Sequence, residues 1–188
     1  MGRWKQFDPD EVLDAALNLF RQRGYAGTST ADLVAETGIA RGSLYATFHS
    51  KHELYLRALD HYVRANYELL FDTLKIGPGP VLPSLRALVE SYAAAAASGC
   101  FVVHAATERM SDDEVARMVR LSWKSVEGML RTSLEHAQER GELPADADPD
   151  ALARFLLVFL QGVRVVGVDQ ENPERLADAV RTALKILD

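Results

Sequence analysis

Thr28 to Leu54 reads TSTADLVAETGIARGSLYATFHSKHEL. The hydroxyls of Thr28, Ser29 and Thr30 are suited to cap a short helix carrying Ala31, Leu33, Val34 and Ala35. Gly38 closes that helix, because glycine enters the left-handed backbone region without a side-chain penalty. A second short helix is expected at about Arg41–Phe48, with Leu44 six positions beyond the glycine. Ile39 and Leu44 pack it against the first, which turns Arg41, Ser43 and Thr47 outward. That is helix-turn-helix spacing, and a helix of this size fits the major groove with its N-terminal residues at the base edges. The same spacing also fits two ordinary capped helices of an all-helical protein.

Each outward residue suggests a role. The Arg41 guanidinium fork matches the O6 and N7 acceptors of guanine. Gly42 allows close backbone approach, and Ser43 can donate to a base or a phosphate. Tyr45, Thr47, Lys51 and the hydroxyls of Thr28, Ser29 and Thr30 suit phosphate contacts, which set register and not sequence. Lys51 stands at a helix N-terminus, where free N–H groups already favour an anion.

Outward from this segment the chain reads as helices throughout, without strand-like alternation. Asp8-Pro9-Asp10-Glu11 starts a first helix that Gly24 ends. Ser50, with Glu53 three residues on, predicts a capping box opening a long helix to about Lys75, roughly 37 Å at helical rise. Gly77-Pro78-Gly79-Pro80 is the clearest break. Further helices are expected at about 83–98, 101–109, 112–140, 149–168 and 173–187. The apolar stretch 151–168 is broken by Arg154, Gln161 and Arg164, so it reads as a buried helix and not a membrane span. The first dozen residues hold no apolar signal core, and the single cysteine, Cys100, requires no oxidising compartment.

Gly24-Tyr25, Thr28-Ser29, Gly38-Ile39, Gly42-Ser43-Leu44-Tyr45, Phe48, Ser50-Lys51 and Leu54 together resemble the N-terminal domain of the tetracycline-repressor (TetR) family. The likeness runs in order through residues 8–56, and the helix layout beyond it is also similar to that family. Two positions depart from it. Val34 stands where many members have alanine, and Thr47 where many have tyrosine or histidine. His49 either substitutes for Thr47 at a phosphate or is a solvated surface histidine. The resemblance implies an all-α protein of about nine helices. A three-helix helix-turn-helix head (residues 1–51) would be joined by the long fourth helix to a bundle (residues 52–188) for ligand binding and dimerisation. It implies a cytoplasmic homodimeric repressor of a palindromic double-stranded operator, released by a small molecule and needing no cofactor or metal. The other class open to the sequence is a helical small-molecule-binding protein or an enzyme without DNA binding. No phosphate loop, zinc-binding helix motif or nucleophile elbow supports an enzyme.

The net charge of −6 argues against a nucleic-acid binder until it is divided. Residues 1–51 hold six basic and six acidic side chains, and residues 52–188 hold 15 and 21. The head is neutral and the body carries the acid. Arg3 and Trp4 suggest an N-terminal arm along the duplex, or an idle terminus.

In the body, the candidates for a ligand pocket are Tyr92, Cys100, Phe101, His104, Glu108, Trp123, Phe155, Phe159 and Arg164, polar or aromatic groups on apolar helices. His104 is equally a satisfied core histidine, and Arg164 either anchors an anion or pairs across a dimer. Cys100 reads as a small buried hydrophobe or as a redox sensor at a helix N-terminus. The resemblance places a four-helix dimer interface on the last two helices, at Leu152, Phe155, Leu156, Phe159, Val163, Leu176, Val180, Leu184 and Leu187. The same residues can serve an intrachain core.

Overall fold

The computed structural model describes residues 7–74 and 79–187. Among these residues every regular element is helical. Arg3 and Trp4, and the end of the fourth helix at Lys75, lie outside them.

Helix α1 spans Pro9–Arg23 and begins as its sequence dictates: the Asp8 carboxylate accepts from Asp10 N at 2.9 Å, and Pro9 occupies the first turn. Gly24, at φ 69° and ψ −178°, ends it in a region only glycine enters readily. Helix α2 covers Thr30–Thr37 and α3 covers Arg41–Phe48. Gly38 supplies the left-handed turn between them at φ 67°. The complete capping box lies at α2, where Ser29 and Asp32 exchange bonds, two helices earlier than the sequence suggests. At α4, Lys51–Thr73, Ser50 accepts from Glu53 N at 3.0 Å, which is one half of the predicted pair.

The body follows as α5 (Leu82–Ala94), α6 (Phe101–Glu108), α7 (Asp113–Glu139), α8 (Pro149–Val166) and α9 (Pro173–Leu184). Helix α5 stops four residues short of its expected end and tightens into a 3-10 turn over Ala96–Ser98. The cause is the approach of α8. Arg164 takes the Ala95 carbonyl at 2.7 Å, and a methyl on Gly167 would meet Ala96 Cβ at 2.2 Å. A 3-10 turn at Lys185–Leu187 likewise closes α9.

Two apolar cores hold these helices. One joins α1, α2, α3 and the start of α4 to α6 and the start of α7. At its centre Phe20, Tyr55 and Phe101 meet, with ring centroids 5.0 Å apart for Tyr55 against each of the other two. Burying each such side chain contributes about 1.5–3 kcal/mol, and edge-to-face pairing adds about 0.5–1.5. The other core joins the end of α4 to α5, the second half of α7, α8 and the C-terminus. The first core crosses residue 51, so the head is packed onto α6 and α7 as one solid.

Candidate nucleic-acid interface and ligand cavity

The exposed face of the head is α3. Leu44 and Phe48 are buried beneath it, while Arg41, Gly42, Ala46 and His49 are exposed. No side chain caps its N-terminus at Ala40. The Arg41 guanidinium lies 5.6 Å from the Tyr45 ring centroid, within cation–π range. Tyr45 Oη and Thr30 Oγ1 share a hydrogen bond of 2.7 Å, which ties α3 to the start of α2. Ser43 and Thr47 are half-buried on the same helix. Ser29 Oγ is engaged with Asp32, whose carboxyl is held below its usual range by that hydroxyl and the Ser29 N–H.

Thr28 leaves the expected phosphate-facing set. It is fully buried and its hydroxyl donates to Gly24 O at 2.8 Å, so it locks the α1–α2 loop. Lys51 is also committed internally. Its Nζ donates to Tyr25 O at 2.6 Å and lies 4.0 Å from the Tyr25 ring centroid. Partial burial lowers its pKa from the usual lysine value, the largest cause being desolvation. His49 carries the one positive φ outside glycine among the described residues, at 62° with ψ −46°. Ser50 N donates to Phe48 O at 2.7 Å around it, so α3 and α4 are joined by a γ-turn of the strained, positive-φ kind. That turn aims the imidazole outward at the end of α3.

The body reaches the head through α6. The Glu108 carboxylate accepts from Tyr25 N at 2.8 Å and Ala26 N at 3.2 Å, and His104 Nδ1 lies 3.5 Å from it. A methyl on Gly24 would overlap Glu108 Oε1, so glycine is needed there for closeness as well as for φ. Next to it the Arg109 guanidinium covers the Tyr25 ring at 4.4 Å and bonds Asp112, which pairs with His52 of α4 at 3.5 Å. His104 and Glu108 therefore serve this latch, and neither is among the residues that line the cavity described next.

A partly enclosed cavity of about 280 Å³ lies in the body between α4, α5, α7, α8 and the start of α6. Of the expected pocket residues, Tyr92, Cys100 and Arg164 line it. Phe101 does not, because it is wholly buried in the aromatic core with Phe20 and Tyr55. Trp123 packs against that same core. Phe155 is exposed on the outer side of α8 and stacks at 5.9 Å on Phe159, which is half-buried against the second core. Residues not anticipated from the sequence complete the wall, among them Tyr62, Asn66, Val102, Leu121, Val126 and Gln161. Their signal was present in part: Gln161 and Arg164 are three apart, as are neighbours on one helical face.

The expected dimer residues also divide. Leu156 and Leu187 are buried in the second core, and Val163 is buried within the chain on α8. Leu176 and Val180 face α5 across a shallow groove. Outside remain Phe155, Val158, Val165 and Val166, spaced along one face of α8, with Val158 71% exposed. Among the described residues no helix is long and apolar enough to cross a membrane, and no cluster of metal-ligating side chains occurs.

The chain matches the family model for the N-terminal domain of tetR-family bacterial regulatory proteins over residues 12–58. It matches a tetracyclin repressor-like C-terminal domain over residues 81–183. It is 33% identical to the HTH-type transcriptional regulator YezE of Bacillus subtilis, over the full length of both. The HTH-type transcriptional repressor ComR of Escherichia coli is 32% identical, over 98% of this chain and 91% of its own. Among solved structures, a cysteine-substituted variant of the TetR-family regulator CifR in complex with 26-bp operator DNA superposes with a TM-score of 0.85. It has 31% identity and covers 98% of each chain. With both halves matched in order, on a fold whose third helix buries Leu44 and Phe48 and leaves its opposite face exposed, the chain belongs to the TetR family of bacterial transcriptional regulators.

Proposed function

We propose that the protein is a homodimeric repressor that binds a palindromic duplex operator with α3 and leaves it when a small molecule enters the body cavity. The observation that carries this reading is α3 itself: its N-terminus is uncapped by any side chain, Arg41 and Gly42 are exposed beside it, and His49 is exposed at the other end. Arg41 reads a base, Ser43 and Thr47 contact bases or phosphate, and Tyr45, Thr30, Ser29 and His49 brace against the backbone. The operator-bound relative supports this placement. The division of labour runs at residue 51, with the neutral head on DNA and the acidic body turned away from it. Two copies joined through the outer face of α8 would present two α3 helices to successive major grooves, about 34–36 Å apart.

Release follows from the packing. Cys100 and Val102 of α6 line the cavity, and Glu108 at the other end of the same short helix holds the N–H groups of the α1–α2 loop. Helix α4 contributes Tyr62 to the cavity and Lys51 to the head. A ligand that shifts either helix shifts the head, and differential affinity of a few kcal/mol changes occupancy. The protein acts in the cytoplasm, needs no cofactor and performs no catalysis.

Genomic fragments captured by the purified protein and sequenced are expected to share a palindrome. Arg41→Ala should weaken binding to that site by about 1–3 kcal/mol while leaving random duplex nearly unaffected. Failure of any duplex to be enriched at moderate salt would remove the reading.

A further inference from the structure

The cavity carries a charge without a counterion. Arg164 lines it, and its Nη1 donates to the Ala95 carbonyl at 2.7 Å while the guanidinium carbon sits 4.5 Å from the Tyr92 ring centroid. Its Nε is buried with no hydrogen-bond partner, and among the described residues no carboxylate lies in ion-pair range of it. One turn earlier on α8, Gln161 Oε1 is likewise buried and unpartnered. A buried guanidinium N–H and a buried amide oxygen left unbonded each cost stability, so a ligand that satisfies both recovers that cost on binding.

The surrounding groups narrow the chemistry. Burial raises the pKa of Tyr62 and of Tyr92 above the usual phenol value, so both phenols are neutral at physiological pH. Tyr62 Oη donates to Cys100 Sγ at 3.6 Å. The acidic side chain that lines the cavity, Glu68, is exposed at its outer edge, as is Arg64, which is paired with Asp60 at 2.7 Å. Val63, Val102, Leu121 and Val126 form the apolar wall. At about 280 Å³ the space is at the small end of ligand sites.

Resting on the reading of this cavity as the effector site, we infer that its effector is a small amphipathic monocarboxylate. The carboxylate pairs with the Arg164 guanidinium, the hydrocarbon portion covers the valine and leucine wall, and a hydroxyl beside the carboxylate bonds the Gln161 amide as the two side chains turn toward the ligand. A cation meets a like charge there, and a neutral ligand leaves the guanidinium uncompensated.

The test uses the full chain and a panel of aryl and branched monocarboxylates of six to ten carbons. Each is paired with its primary amide and its amine, and phenylacetate, phenylacetamide and phenethylamine form one set. Calorimetry and thermal shift at neutral pH should show carboxylates binding about 10- to 100-fold more tightly than their amides. Arg164→Met should erase that preference, and Gln161→Leu should erase only the advantage of 2-hydroxy acids. Should Arg164→Met fail to fold for want of the Ala95 bond, the wild-type panel and Gln161→Leu decide the matter. Amides or amines binding as tightly as the acids would overturn the inference, and so would Arg164→Met retaining the preference. Operator release by the amides alone would overturn it while leaving the effector-site reading intact. An absence of binding by the whole panel would overturn the inference, while the effector-site reading would fall only if filling the cavity by Val126→Trp left operator binding and release unchanged.

Discussion

A methyl added at Gly42 would meet no atom within 4 Å, so the protein's own packing does not require glycine there. Glycine in a helix is less favourable than alanine by about 0.5–1 kcal/mol. Gly42→Ala should therefore raise the free protein's stability by about that amount in chemical denaturation. In the operator-binding assay the same change should weaken binding, because the added methyl stands where the duplex approaches. Tighter operator binding by the variant would show that α3 does not meet DNA at this position. Gly24 is the opposite case. Its φ and the overlap a side chain would make with Glu108 are both internal demands. Thr28 shows the limit of reading single residues. A hydroxyl beside a helix start suggests a phosphate contact, and only its burial against Gly24 O reveals a lock.

Among elements, α6 does more than its eight residues suggest. Glu108→Ala removes the acceptor for two loop N–H groups, and its effect should show in hydrogen exchange. The amides of Tyr25 and Ala26, and those of α2 and α3 behind them, should exchange faster while α8 stays protected. Unchanged protection in the head would mean that Glu108 is not a latch. The neighbouring cap of α7 adds a pH dependence. Burial alone would push the Asp112 carboxyl up, yet the Val115 N–H, His52 and Arg109 together hold it below its usual value. A depressed folded pKa contributes stability at pH above the unfolded value of about 3.9, and that contribution is lost as pH falls through the folded value. Asp112→Asn should therefore be less stable at neutral pH, and its stability should fall less steeply in acid, as followed by melting temperature against pH.

For the whole molecule, the proposed pairing through the outer face of α8 would decide whether two heads act together. Val158 is 71% and Val165 52% exposed, so a charge placed there leaves the chain's own core intact. Val158→Asp should yield a folded monomer in sedimentation, with at least a ten-fold loss of operator affinity, about 1.4 kcal/mol. A variant that remained dimeric would place the interface elsewhere. The charge distribution belongs to this scale too: a neutral head and an acidic body favour docking head-first and weak non-specific binding.

Helix boundaries, caps and the helix-turn-helix were legible because they rest on interactions a few residues apart. Asp8, Ser29 and Ser50 bond to N–H groups two or three positions on, and Gly24 and Gly38 carry their own backbone conformations. The face of α3 follows from the positions of Leu44 and Phe48 alone. The sequence by itself therefore determined the family, the head and the exposure of Arg41 on α3, while Ser43 and Thr47, read as outward, are half-buried. Only the tertiary structure decided which body residues share a cavity, which leucines of α8 are interior, and that Glu108 reaches a loop 83 positions away. The reason is physical: helical periodicity marks a side chain as apolar and facing inward, but which neighbour it meets depends on how whole helices cross. The environment of Arg164 arises from that crossing, where α8 brings one guanidinium to the Ala95 carbonyl at the end of α5 with no carboxylate among the described residues to receive it.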